Sequence, residues 1–146
     1  PILFDPGQGL PMFNKQELDI FIQQASYIAL NEYEAGLLMN VTGLGISQLT
    51  SKVEALIITK GSQGSVVYAD KEYVISPIKV DAAVDPTGCG DAYRAGLIYG
   101  ITSQYSWEKT GKLASIMGSL KIQSQGGQNH QPSTEQIESL FGSGLE

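Results

Sequence analysis

Tyr27-Ile28-Ala29-Leu30-Asn31, the stretch from Glu32 to Met39, and Ala55-Leu56-Ile57-Ile58-Thr59 decide the fold. The first is a short apolar run of strand character that ends at Asn31. The second is helical in spacing and stops near the Gly43-Leu44-Gly45 turn, with a short helix expected from Ser47 to Lys52. The third is a buried strand rich in β-branched residues. Strands separated by helices, with strands apolar on both faces, indicate an α/β protein with a mostly parallel sheet.

The flanks extend the alternation. Pro1-Ile2-Leu3-Phe4-Asp5 reads as a strand already under way, with no methionine and no cap, so the natural protein is expected to begin upstream. Asp5 to Gln8 is a loop. Asn14 followed by Glu17 is a capping-box-like helix start, and Leu18, Phe21, Ile22 and Ala25 continue it at helical spacing. Ser65 to Tyr68 and Tyr73 to Ile75 flank a turn and form a β-hairpin, the antiparallel exception. Asp91 to Gly100 carries Ala92, Ala95 and Gly96 on one side, as in a helix packed close to a sheet. Further helices are expected over Trp107 to Gln123 and Ser133 to Leu140, the last opening on another capping-box pattern. In such a sheet a site lies at the C-terminal strand ends, where Asn31, Thr59 and the segment after Val80 fall.

Composition narrows the function. Hydrophobic residues make up 42% of the 146 and charged residues 16%, enough for a packed core and too little charge for a disordered tail. The longest aliphatic stretches fall far short of a membrane span. The formal charge is −6 with no basic stripe, which argues against a nucleic-acid surface. One cysteine cannot form an internal disulfide and fits a reducing, cytoplasmic setting. One Cys and one His also exclude Cys/His-rich metal sites. The P-loop pattern is absent, and neither Gly43-Leu44-Gly45 nor Gly88-Cys89-Gly90 has the third glycine of a dinucleotide fingerprint.

What remains is Asp85-Pro86-Thr87-Gly88-Cys89-Gly90-Asp91-Ala92-Tyr93-Arg94-Ala95-Gly96. Two glycines in a short turn expose backbone N–H groups, and a helix starting near Gly90 adds its positive dipole end, so the turn can cradle phosphate oxygens. A carboxylate there repels a phosphate ligand unless it takes a proton from an attacking hydroxyl. The plain alternative is an Asp capping a helix after a Gly-rich turn.

This segment resembles the C-terminal signature of the ribokinase-like (PfkB-type) small-molecule kinase family. Asn31-Glu32-Tyr33-Glu34 is similar to the family's Asn-x-x-Glu element, and Thr59-Lys60-Gly61-Ser62-Gln63-Gly64 to its Thr-x-Gly-x-x-Gly element. The wording resembles bacterial adenosine kinases most, through Asp5-Pro6-Gly7-Gln8, Asp91 to Gly96 and Gly118-Ser119-Leu120.

The resemblance implies a ribokinase-like, Rossmann-like three-layer α/β/α fold. Residues 1–146 would be the C-terminal nucleotide-binding part of one such domain, without the N-terminal half that holds the acceptor-binding residues and the lid. The implied activity is ATP-dependent phosphoryl transfer to the hydroxymethyl group of a nucleoside, adenosine first. The alternatives are a ribokinase- or fructokinase-like sugar kinase and a non-catalytic nucleotide-binding module. This segment alone is expected to be inactive or nearly so, and its exposed sheet edge to favour self-association, as in a homodimer.

The implied roles follow the motifs. Asp91 is the base, and Gly88, Cys89 and Gly90 form an anion hole through their amides. Thr59, Gly61 and Gly64 lie at ATP phosphates, with Asn31 beside them. Asn31 and Glu34 organise Mg2+, Glu34 through water. Read alone, Asn31 is a cap, Glu34 a solvated helix residue and Thr59 a strand end before a Gly turn. Ala114, Gly118 and the Ser124 to Asn129 loop, Asn129 included, are candidates for adenine, though helix packing explains Ala114 and Gly118 equally well. Asp85, with carbonyls near Thr87 and Gly126, matches a region where some family members hold a monovalent cation such as K+. Three residues are ambiguous. Cys89 could be misread as a nucleophile but has no partner His nearby in sequence. His130 has a surface or an adenine-edge role. Arg94 either helps neutralise phosphate or pairs with an acid.

Overall fold

The computed structural model describes residues 1–142, which fall into two compact units, Pro1–Val74 and the stretch from Ile75 onward. The first carries the sheet. β1 (Leu3–Phe4), β2 (Tyr27–Asn31), β3 (Ala55–Thr59), β4 (Ser65–Tyr68) and β5 (Glu72–Ile75) lie in that order across it. β1 with β2 and β2 with β3 are parallel, and β3 with β4 is antiparallel. The sheet is thus mixed, with its parallel part at the N-terminal side of the chain. Three helices belong to this unit: α1 (Lys15–Gln24), α2 (Glu32–Thr42) and α3 (Ile46–Thr50).

Local chemistry accounts for these elements. Asn14 caps α1 with a full capping box, and Leu18 and Ile22 turn into the core. β2 and β3 are buried along almost their whole length, as parallel strands covered on both faces must be. Leu30, Leu56 and Ile58 pack with Leu18, Ile22 and Leu38 in one hydrophobic cluster. Two readings shift. The opening strand covers only Leu3–Phe4, and Gly7–Met12 forms a 3-10 turn where a plain loop was expected. The short helix runs Ile46–Thr50, slightly earlier than expected from Ser47.

The second unit holds α4 (Cys89–Thr102), α5 (Trp107–Ile122) and α6 (Thr134–Phe141). The small side of α4 packs on α5: a Cβ on Gly96 would stand 2.7 Å from Ala114 Cα, so glycine permits the two helices to touch backbone to backbone. Ala95 of the expected small face is exposed. Leu113 and Ile116 of α5 cluster with Phe141 and Ile137 of α6. Among the described residues no helix is long and apolar enough to cross a membrane.

Candidate functional site

In the first unit the parallel register sets Asn31 directly beside Thr59, at the C-terminal ends of β2 and β3. Asn31 ends the strand and caps α2. Its Oδ1 accepts from Glu34 N at 2.8 Å, and its own N–H donates to Glu34 Oε2 at 2.8 Å. Glu34 is therefore not a solvated helix residue; it is 6% exposed. The Thr59 hydroxyl donates to Leu30 O at 3.4 Å. Beyond it a tight loop, Gly61–Gln63, is closed by Lys60 N–H donating to Gly64 O at 2.8 Å. Asn31, Glu34, Thr59, Gly61 and Gly64 thus gather within this unit at neighbouring strand ends, the place where ligands of parallel sheets bind.

Glu34 is a hard oxygen donor with one oxygen held by a backbone amide. Among the described residues there is no cluster of three or more His, Cys, Asp or Glu side chains. The Glu34 carboxylate is the kind of ligand Mg2+ takes, since that ion keeps most of its waters and needs few protein carboxylates.

In the second unit the glycine-rich turn opens α4. Gly88 is the N-cap, with φ +79, and a Cβ there would lie 2.7 Å from Gly127 O. Only glycine tolerates both the left-handed backbone and that approach. The helix starts at Cys89, one residue before the start expected near Gly90. Ala92 N–H donates to Gly88 O at 2.9 Å, so the amides of Cys89, Gly90 and Asp91 belong to the first turn, where intrahelical partners are lacking. Cys89 N–H closes a turn on Pro86 O at 3.1 Å, which leaves the rim to the amides of Gly90 and Asp91. These stand at the positive end of a 14-residue helix.

The Asp91 side chain is 90% exposed in that first turn, and Arg94 Nη1 stands 3.9 Å from its Oδ1. At that distance and exposure the pair is weak. Arg94 also folds over Gly90: a Cβ there would fall 2.5 Å from Nη1. Arg94 thus lies along the first turn, next to both Gly90 and Asp91.

Asp85 is held from three sides. Its Oδ1 accepts from Thr87 N–H at 2.9 Å, and its Oδ2 accepts from Gly126 N–H at 2.7 Å and Gln125 Nε2 at 3.3 Å. The backbone bonds from Thr87 and then Gly126, with a smaller pull from the Lys121 charge, hold its carboxyl down at about 2. Burial pushes the Cys89 thiol up, Asp85 adds to the rise and Lys121 opposes it. A raised thiol stays protonated and is a poor nucleophile.

Ala114 corrects one expectation. It is wholly buried against Gly96, which makes it a helix-packing residue, the other role the sequence left open for it. Gly118 is half-buried, its Cβ position 3.6 Å from Cys89 O. Asn129 Nδ2 donates to Gln125 O at 2.9 Å and stands against Gly126. His130 is half-buried, and its Nδ1 is buried without a hydrogen-bond partner.

Sequence reasoning missed Lys121, which is fully buried in the last turn of α5. The signal was available: Lys121 stands seven residues after Ala114, on the same helical stripe as a buried core position.

The signature of the family described as "pfkB family carbohydrate kinase" matches residues 3–134. A nucleoside kinase of Methanocaldococcus jannaschii is 36% identical over 137 residues, covering 93% of this chain and 45% of the relative. A ribokinase of Lactococcus lactis is 30% identical over 139 residues, covering 93% of this chain and 43% of the relative. The solved structure of Burkholderia thailandensis nucleoside kinase in complex with inosine superposes with a TM-score of 0.95 at 45% identity, over 97% of this chain and 48% of that one. The chain spans about half the length of the curated relatives it matches.

Proposed function

The chain belongs to the pfkB family of carbohydrate kinases and has its ribokinase-like fold, and from that premise we propose that it forms the nucleotide-binding part of an ATP-dependent kinase whose acceptor is the hydroxymethyl group of a nucleoside. The observation that carries the reading is Asp91: an exposed carboxylate in the first turn of α4, beside the amides of Gly90 and Asp91. A phosphate-binding helix start gains nothing from a carboxylate unless that carboxylate does proton chemistry.

In this reading Asp91 takes the proton of the attacking 5′-hydroxyl while the amides at the Gly88-Cys89-Gly90 turn stabilise the charge on the transferring group. Arg94 adds charge from the same turn. Thr59, Gly61, Gly64 and Asn31 hold the ATP phosphates, and Gly118 with Asn129 borders the adenine. The unpartnered Nδ1 of His130 favours the adenine-edge role over a plain surface one. Glu34 positions Mg2+ through water, and the ion neutralises phosphate charge when bound.

Adenosine is our leading acceptor, with the cytoplasm as the matching compartment. The nucleoside kinases among the relatives support a nucleoside over a free sugar. The ribokinase relative keeps a sugar kinase as the second reading.

Asp91→Asn in the full-length protein tests the mechanism. ATP binding should persist while turnover falls by about 10²–10⁴-fold, the range of lost general-base catalysis. Unchanged turnover would refute the role. Assays with adenosine, inosine, ribose and fructose then rank the acceptor.

A further inference from the structure

Lys121 is 0% exposed, and burying an ammonium is costly unless its donors are met. They are met here by main-chain oxygens: Asp85 O accepts at 2.8 Å and Ser124 O at 3.0 Å. The surrounding chain closes a ring about this point. Val84 and Asp85 N–H both donate to Ile122 O, at 2.8 and 3.1 Å. Gly126 N–H donates to Asp85 Oδ2 at 2.7 Å, and Gly127 lies against Gly88, the residue that opens α4.

A monovalent cation on Asp85 does not fit this donor set. Both carboxylate oxygens accept protein N–H groups, and the adjoining main-chain carbonyl already faces an ammonium. We propose that the Lys121 ammonium is itself the internal cation of the turn. Two carbonyl dipoles, from segments that would otherwise repel, point at one tethered positive charge. The charge draws residue 85 and residue 124 together, and through them sets the Gly88 turn and the amides of Gly90 and Asp91. Lys121 is a positioning residue that touches no reacting atom. The inference rests on the kinase reading for its effect on rate, but the brace itself does not.

The test uses the full-length protein. Phosphoryl transfer from ATP is measured across a K+ titration at constant ionic strength, for the native protein, Lys121→Met, Lys121→Arg and Lys121→Ala. The native rate should be flat in K+. Lys121→Met should lose about tenfold or more in kcat, a loss of alignment, with the acceptor KM little changed. Lys121→Arg should retain part of the rate, and Lys121→Ala should recover part of it with K+ or ethylammonium. Strong K+ activation of the native protein, or full kcat in Lys121→Met, overturns the proposal. The K+ titration of the native protein needs no variant, so a variant that fails to fold does not protect the idea. Amide hydrogen exchange reads the brace without any activity: Lys121→Ala should exchange faster over 85–91 and 124–127, and ethylammonium should reverse it. If no acceptor is phosphorylated the kinase reading fails while exchange still decides the brace, and unaltered exchange in those segments sinks it.

Discussion

The main-chain N–H of Gly126 donates to Asp85 Oδ2 at 2.7 Å, binding two segments 41 residues apart. With the Thr87 amide on the other oxygen, this bond favours the ionised carboxylate of the folded chain. A carboxyl held at about 2, against its usual 3.8, contributes stability that is complete above about pH 4 and is lost as pH falls from there toward 2. Asp85→Asn should remove that contribution. Thermal unfolding of the two proteins from pH 2 to pH 6 checks it: the gap between them should be widest above about pH 4 and narrow through the window. Parallel curves would show that Asp85 is not held down.

Gly88 and Gly43 make a controlled pair. Both have left-handed backbones, φ +79 and +74, but a Cβ meets Gly127 O at 2.7 Å only at Gly88, while Gly43 has nothing within 4 Å. Gly43→Ala should cost about 1–2 kcal/mol, the left-handed penalty alone. Gly88→Ala should cost more, because loop 126–127 must also move. Urea unfolding midpoints measure both, and equal losses would refute the close approach.

Cys89 should react slowly with iodoacetamide at neutral pH. Burial lifts its thiol above the usual range, so the thiolate is scarce. The pH midpoint of alkylation should lie above that of a free cysteine measured alongside; a midpoint at or below it contradicts the burial effect.

Asn31 is a cap whatever else it does. Asn31→Ala should lower stability by about 0.5–2 kcal/mol, while Asn31→Asp should hold most of it. Loss of ATP affinity in Asn31→Asp with an unchanged melting temperature would assign Asn31 to the phosphates.

Much of this was legible along the chain. The caps at Asn14, Asn31 and Ser133 were readable because the partner glutamate or glutamine stands three residues on. The glycine turn before Asp91 was readable because Gly88 and Gly90 stand two apart in one short segment. The burial of Glu34 was not legible, since it depends on tertiary packing and not on its neighbours in sequence. Ala114 was ambiguous because a small residue suits a flat ligand and a close helix equally, and the approach of Gly96 resolves it.

Local order therefore came from residues three or four apart: strand and helix alternation, capping, and the bare amides of a short turn, all of which act without distant partners. The state of Lys121 did not. Its ammonium meets Asp85 O from 36 residues away, so its burial, and its meaning as a cation, exist only once α5 has brought its last turn against the segment that opens α4.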